Sequence, residues 1–312
     1  MKEREERLRR GCRQRGADME KQIGIIGIGL MGHGIAKNLI LRGWKTRYLR
    51  HAGNQPTDDL DAKGAVGWPS ASELTRTSDV LILCVTGTPQ VEDVLTGSGD
   101  VLDALRPGTI VIDCSTAIPS STIRLAELVS AKGCHFVDAP MTRTPKEAEE
   151  GRLNLLVGGD AAVVESLHPL LSSFAENIFY AGGVGSGHQL KLLHNFVSLG
   201  TVTLITEAVA CAAKGGVSMG ALVDCLSRGG GAGVALDRLI PYIQKEQTEQ
   251  LRFTVANACK DFSYYNQMAD ELGASHLIAA GIYHTLDGLV RCGEGNAYMP
   301  QQATLLQKHV IT

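Results

Sequence analysis

Aromatic residues make up only 5% of this 312-residue chain. So few rings argue against a surface built to stack on single-stranded nucleic acid. No two of the eight cysteines (Cys12, Cys84, Cys114, Cys134, Cys211, Cys225, Cys259 and Cys292) form a Cys-x-x-Cys pair. Their spacing suits neither a zinc site nor a small disulfide scaffold, and reads as thiols of a reducing cytoplasm. The nine histidines contain no His-x-x-x-His pair with a nearby carboxylate, so no metal site is expected. Residues 1–20 lack an apolar core, so no signal peptide is expected. The longest uncharged helical stretch, Leu192 to Thr206, has 15 residues. It is shorter than the roughly 20 needed to cross a bilayer, and it reads as a buried core helix. Excess positive charge is also missing, since the net charge is −3. Residues 1–18 carry seven basic side chains against four acidic ones, or +3, which leaves −6 on the rest. An acidic body does not suit a polyanion, so neither nucleic acid nor membrane is expected as a partner.

What is present points to a folded chain of about two domains. Hydrophobic residues are 44% and charged residues 20%, close to a globular average. The 36 glycines show no repeating period and mark turns and close backbone approaches. Residues 1–18 read as a disordered, solvated basic tail, and Met19 is a candidate second start of translation. Strand patterns follow at Gln22–Gly27, Lys45–Leu49, Val80–Val85, Thr109–Asp113, His135–Asp138, Leu153–Gly158 and Asn177–Tyr180. Helical patterns separate them at Gly32–Arg42, Ser70–Thr75, Gln90–Leu95, Val101–Leu105, Ser120–Lys132 and Ala161–Ser173. Such alternation implies βαβ units and a mostly parallel sheet. Beyond the glycine run Ala181–Gly187, helical periodicity dominates to about Lys308. The expected organisation is an α/β domain over residues 19–183 and an all-α domain over 184–312.

The segment Gly27-Ile28-Gly29-Leu30-Met31-Gly32 is a Gly-x-Gly-x-x-Gly motif between a strand and a helix. That context is the one a dinucleotide site requires. Gly27 permits the tight turn, Gly29 the approach of a pyrophosphate, and Gly32 close packing of helix on strand. NAD-binding domains place a carboxylate at the end of the second strand for the ribose hydroxyls. Here Arg50-His51 stands instead, and a guanidinium suits a 2′-phosphate. NADP is therefore the expected cofactor, with NAD as the alternative.

Several motifs together resemble the β-hydroxyacid dehydrogenase family, which includes 3-hydroxyisobutyrate dehydrogenase and 2-hydroxy-3-oxopropionate reductase. They are Gly27-x-Gly29-Leu30-Met31-Gly32-x-x-Ile35-Ala36-x-Asn38, Asp113-x-Ser115-Thr116, Asp138-Ala139-Pro140, Gly185-x-Gly187-x-x-x-Lys191-x-x-x-Asn195 and Lys260-Asp261. The resemblance spans residues 21 to about 295. It implies a Rossmann-like N-terminal domain joined by a long helix to an all-α C-terminal domain, with ligands bound between the two. It also implies hydride transfer between a nicotinamide cofactor and a small, anionic 3-hydroxy acid or its semialdehyde. Lys191 would be the general acid/base and Asn195 would orient the substrate. Ser115 and Thr116 would line the substrate–nicotinamide pocket, with Leu30, Met31, Val85 and Lys260 at the cofactor. A dimer or tetramer is implied as well.

The residue chemistry agrees. Such a reaction needs a group that gives or takes the hydroxyl proton, and a lysine in a partly apolar cleft can do so. His194, Asn195 and Ser198 follow Lys191 by three, four and seven residues, on one helical face. The chain departs from the family after Asp138-Ala-Pro, where Arg143 and Thr144 replace two glycines. An arginine there would grip an oxyanion in a two-pronged manner. This partly resembles the sulfolactaldehyde reductase branch, so a sulfonated aldehyde is a second expected substrate class. A nucleotide-binding regulator without chemistry and an imine-reductase-like relative are the competing classes; Lys191, Asn195 and Lys260 argue against the first, and Lys191 against the second.

Overall fold

The computed structural model describes residues 20–311. The expected tail and Met19 lie outside them. The chain divides into two compact units, residues 1–191 and 192–312. The division falls between Lys191 and Leu192, inside a helix.

The first unit is a nine-stranded sheet in the order β3-β2-β1-β4-β5-β6-β8-β7, with β9 beside β8. The strands are β1 Gln22–Ile26, β2 Lys45–Leu49, β3 Val66–Trp68, β4 Val80–Leu83, β5 Ile110–Asp113, β6 His135–Asp138, β7 Met141–Thr142, β8 Leu153–Gly158 and β9 Ala175–Gly182. The six strands from β3 to β6 are parallel; β8 runs antiparallel to β6 and β7 and parallel to β9. The chain leaves β1 toward β2 on one side and returns to β4 on the other. That reversal opens a crevice at the carboxyl ends of β1 and β4, where open α/β sheets bind ligands.

A parallel sheet is covered on both faces, so its central strands are apolar throughout. In β4 the period of two sends Val80 and Ile82 into one apolar layer and Leu81 and Leu83 into the other. In β5, Ile112 and Val111 split the same way. Each fully buried aliphatic side chain adds about 1.5–3 kcal/mol of transfer free energy. These are the strands the sequence pattern shows most plainly. The short β3 and β7 and the helices Asp58–Asp61 and Pro145–Glu149 carry too few residues to show a period.

The second unit is helical. Its core gathers Leu199, Val202, Ile205 and Val209 from the long helix Ser186–Lys214 with Leu236, Leu239, Val255, Ala258, Phe262, Leu286 and Leu289. The helix has 29 residues, far more than the uncharged stretch suggests, because polar residues continue it at both ends. Among the described residues it is the one helix long and apolar enough to cross a membrane, and 44% of its most apolar window is buried within the protein. Gly200 lets it approach helix Leu277–Arg291, since a Cβ there would lie 3.0 Å from Ile282 Cδ1.

Candidate active site

Gly27 has φ +103°, and a Cβ on it would stand 2.2 Å from the Cys84 carbonyl oxygen. A Cβ on Gly32 would stand 1.9 Å from the Gly27 carbonyl oxygen. A Cβ on Gly29 would meet nothing within 4 Å. So Gly27 and Gly32 close the turn, and Gly29 keeps an open face. Helix Leu30–Leu41 then starts with no side-chain cap and no acidic residue in its first turn. Its free N–H groups and dipole suit a phosphate. Leu30 is exposed beside this face, while Met31 packs on the core. The donor set fits a dinucleotide pyrophosphate.

At the carboxyl end of β2 lies a cavity of about 420 Å³ lined by Tyr48, Arg50, His51, Asn54, Gln55, Pro56, Thr57 and Asp61. Asn54 joins it to the glycine turn. Its Oδ1 accepts from Ile28 N at 3.4 Å, and its Nδ2 donates to Leu49 O at 2.9 Å. Gln55 N donates to Ile28 O at 2.7 Å. A Cβ on Gly67 would come 2.5 Å from Arg50 Nε, so the glycine leaves room for the guanidinium. His51 Nδ1 accepts from Gly53 N. Arg50 and His51 thus sit where the sequence places them, in the wall of a cavity beside the nucleotide turn. Asp61 was not foreseen: its Oδ1 accepts from the Tyr48 hydroxyl at 2.8 Å. Burial, with the Asp61 charge added, pushes the Tyr48 phenol up.

Ser115 follows β5 and is almost fully buried. Its N–H donates to Asp113 Oδ1 at 2.9 Å, and its Oγ accepts from Val85 N at 3.0 Å. Val85 and Thr116 remain partly open beside it. Burial raises the Asp113 carboxyl above the usual range, although His188 and the Ser115 hydrogen bonds pull it down. The neighbouring thiols are shifted for the same reason. Burial pushes Cys84 up to about 12 and Cys114 well above its ordinary value.

Buried Asp138, at the end of β6, caps the long helix. Its Oδ1 accepts from Gly185 N and its Oδ2 from His188 N, both at 2.8 Å. Gly187 makes the contact possible, because a Cβ there would lie 2.4 Å from Leu156 O. The cap fixes the first turn of the helix, and Lys191 follows one turn later. Only 8% of Lys191 is exposed, which is rare for a lysine.

Further along the helix, Asn195 is 5% exposed and Ser198 half-buried, on the face of Lys191. His194 is exposed, and its Nδ1 lies 3.0 Å from Asn195 Oδ1. In the helical unit Asn195 Nδ2 donates to Asp261 Oδ2 at 2.6 Å. Asp261 Oδ1 pairs with Lys260 Nζ at 2.8 Å, and Lys260 lies over the Tyr264 ring. Buried Asp261 therefore orients two residues that the motifs single out. The Lys260-Asp261 pair was the visible signal for it.

Arg143 has φ +82°, a strained conformation for a side-chain-bearing residue. Its Nη1 donates to Glu176 Oε2 and to Arg152 O. Thr144 N donates to Glu147 Oε2 at 3.0 Å, and its hydroxyl donates to the same oxygen at 2.5 Å. Thr144 is thus bound to helix Pro145–Glu149, and Arg143 to Arg152 and to Glu176 in β9. Among the described residues no group of three His, Cys, Asp or Glu side chains is placed to hold a metal ion.

Known protein families match both parts of the chain. Residues 22–182 match the family described as the NAD binding domain of 6-phosphogluconate dehydrogenase. Residues 185–305 match the NAD-binding family of NADP-dependent 3-hydroxyisobutyrate dehydrogenase. The chain is 31% identical to 2-(hydroxymethyl)glutarate dehydrogenase of Eubacterium barkeri, over 70% of this chain and 73% of that one. It is 34% identical to 2-hydroxy-3-oxopropionate reductase of Escherichia coli K12, over 62% of this chain and 66% of that one. The structure of Mycobacterium tuberculosis 3-hydroxyisobutyrate dehydrogenase with L-serine superposes with a TM-score of 0.81 at 25% identity, over 92% of this chain and 99% of that one. The chain belongs to the β-hydroxyacid dehydrogenase family of NAD(P)-dependent oxidoreductases.

Proposed function

We propose that the chain interconverts a small 3-hydroxy acid and its semialdehyde, with NADP as preferred cofactor and Lys191 as general acid/base. The observation that carries this reading is a nearly buried lysine on the helix that Asp138 caps, one turn beyond a histidine in contact with Ser115. When bound, the nicotinamide cofactor supplies or accepts the hydride. The protein must then manage the proton and the geometry. Lys191 Nζ gives a proton to the carbonyl oxygen on reduction and takes it back on oxidation. Asn195, held by Asp261, and the pinned Ser115–Thr116 loop orient the substrate. Leu30, Met31, Val85 and Lys260 are carried over from the family as cofactor contacts, and His194 and Ser198 as substrate contacts.

Arg50 supports NADP, because it lines the cavity at the end of β2. Its guanidinium would pair with the 2′-phosphate. On the substrate, the engagement of Arg143 with Glu176 favours a carboxylated semialdehyde over a sulfonated one, since the guanidinium charge is already matched. In the helical unit Leu193, Val197 and Leu204 are 42%, 65% and 67% exposed, at spacings of four and seven residues along one face. This apolar strip is the surface at which we place a second copy of the chain. The described cysteines are all free thiols, in keeping with a cytoplasmic setting.

The test is oxidation of NADPH and NADH with succinic, tartronate and methylmalonate semialdehydes and with sulfolactaldehyde. The expected result is turnover of a carboxylated semialdehyde with NADPH. A preference for sulfolactaldehyde would overturn the substrate reading, and a preference for NADH the cofactor reading.

A further inference from the structure

His188 stands at an unspecified position of the Gly185–Asn195 motif and no step described above uses it, yet it is 0% exposed. Its ring Nε2 lies 3.1 Å from Ser115 O, and its Nδ1 lies 2.8 Å from Thr122 Oγ1. A carbonyl oxygen can only accept, so Nε2 carries a hydrogen and donates it to Ser115. Two buried carboxylates flank the ring. Asp113 Oδ2 is 3.7 Å from Nε2 and Asp138 Oδ2 is 3.8 Å from Nδ1. Asp113 Oδ2 makes no hydrogen bond. The backbone of His188 is fixed as well, by the bond from its N–H to Asp138.

These contacts close a frame around Ser115. Its N–H is held by Asp113, its Oγ by Val85 N, and its carbonyl by His188. The first two anchors come from the end of β5 and from the loop that follows β4. The third comes from the long helix, 73 residues away in sequence. Lys191 lies three residues after His188, about one turn on and on the same side of that helix. The imidazole is therefore a side-chain link between the loop and the helix.

We infer that His188 is a positioning residue that sets the Ser115–Thr116 loop in register with Lys191. The inference rests on the role of Lys191 argued above. Loss of the Nε2 bond leaves a buried carbonyl unpaired and one side of the loop unheld, which costs far more than an exposed bond would. Displacement of a reacting group by about 1 Å can cost about 10²-fold in rate.

Two near-isosteric variants separate the ring atoms. A glutamine amide reaches the place of Nε2, and an asparagine amide reaches only the place of Nδ1. His188→Gln should keep the Ser115 bond, and His188→Asn should lose it. The first readout is amide hydrogen exchange at Ser115 and Thr116 in the free protein. His188→Asn should speed exchange by about 10-fold, and His188→Gln should leave it within about threefold of wild type. The second readout is turnover. His188→Asn should lower kcat by at least about 10-fold with the NADPH Kd unchanged, and His188→Gln should retain it. Equal effects of the two variants, or unchanged exchange in His188→Asn, would overturn the inference. If His188→Asn does not fold, Thr122→Val removes the Nδ1 partner alone. It should still speed exchange at Ser115 by about threefold, and no change there would equally overturn the inference. Lys191→Ala is assayed alongside. Activity in that variant removes the proposed role of Lys191, while the exchange result stands without it.

Discussion

Lys191 is held nearly out of solvent by the start of its own helix, and its single amino group carries the proposed proton transfer. Lys191→Ala should lower kcat by about 10²–10⁴-fold, the usual contribution of a general acid/base, while cofactor titration gives an unchanged Kd. Near-normal kcat would show that another group moves the proton. Arg50 acts on a different property. Arg50→Asp should weaken NADPH binding by about 10-fold or more and NADH binding little, because only NADPH brings a phosphate to that cavity. Parallel fluorescence titrations measure it, and equal losses would remove Arg50 from the 2′-phosphate. Lys191 stood out in the sequence because it sits inside a short motif, and Arg50 because it follows the second strand where a carboxylate is usual. Asp61 and His188 did not. Asp61 reaches the β2 cavity only through the loop and helix that follow, and the contacts of His188 span 50 to 73 residues. No local pattern announces a contact made at that distance. The strained φ of Arg143 and its bond to Glu176 were equally invisible, since a loop arginine reads as an anion clamp until its partner is known.

The helix Leu30–Leu41 shows how a single element ties the nucleotide turn to its surroundings. Gly27→Ala should disrupt the turn, since it adds a side chain at φ +103° and a clash with Cys84 O. Loss of several degrees in Tm together with loss of cofactor binding is expected, and a variant that binds normally would contradict the backbone argument. On the same helix His33 Nδ1 lies 2.8 Å from Glu149 and Nε2 lies 2.9 Å from Asp59. It thereby joins helices Asp58–Asp61 and Pro145–Glu149 to the turn. Burial opposes the charge on the ring, but the two carboxylates outweigh it and hold the His33 pKa above its ordinary 6.5. The clasp is therefore fully formed below about pH 6.5 and is lost as pH rises through the raised value. Thermal unfolding of wild type and His33→Gln should differ most on the acidic side and converge as pH rises. A gap that widens with pH would refute the clasp. At this scale the long buried strands were readable, because a short unbroken apolar run bounded by turns and rich in β-branched residues suits a buried strand better than a helix. The short strands β3 and β7 and the two short helices are made by their neighbours, which propensity does not record.

The described residues combine a mostly parallel sheet that carries the nucleotide turn with a helical unit crossed by one long helix. The division between the two units lies within that helix, after Lys191. Sequence periodicity could not show this, because the helix is continuous through the boundary. The exposed strip Leu193, Val197 and Leu204 belongs to this scale. Light scattering at micromolar concentration should give a dimer or larger, and Leu204→Glu should shift it toward monomer by placing a charge in the covered face. A monomeric wild-type mass would contradict the proposed second copy. The central claim is catalysis by Lys191 on a carboxylated semialdehyde. Its most direct test is NADPH oxidation by wild type and Lys191→Ala, side by side, across the semialdehyde panel. The account predicts rapid turnover of at least one carboxylated semialdehyde by wild type and loss of about 10²-fold or more in the variant. Equal rates in the two proteins, or no turnover of any carboxylated semialdehyde by wild type, would contradict it.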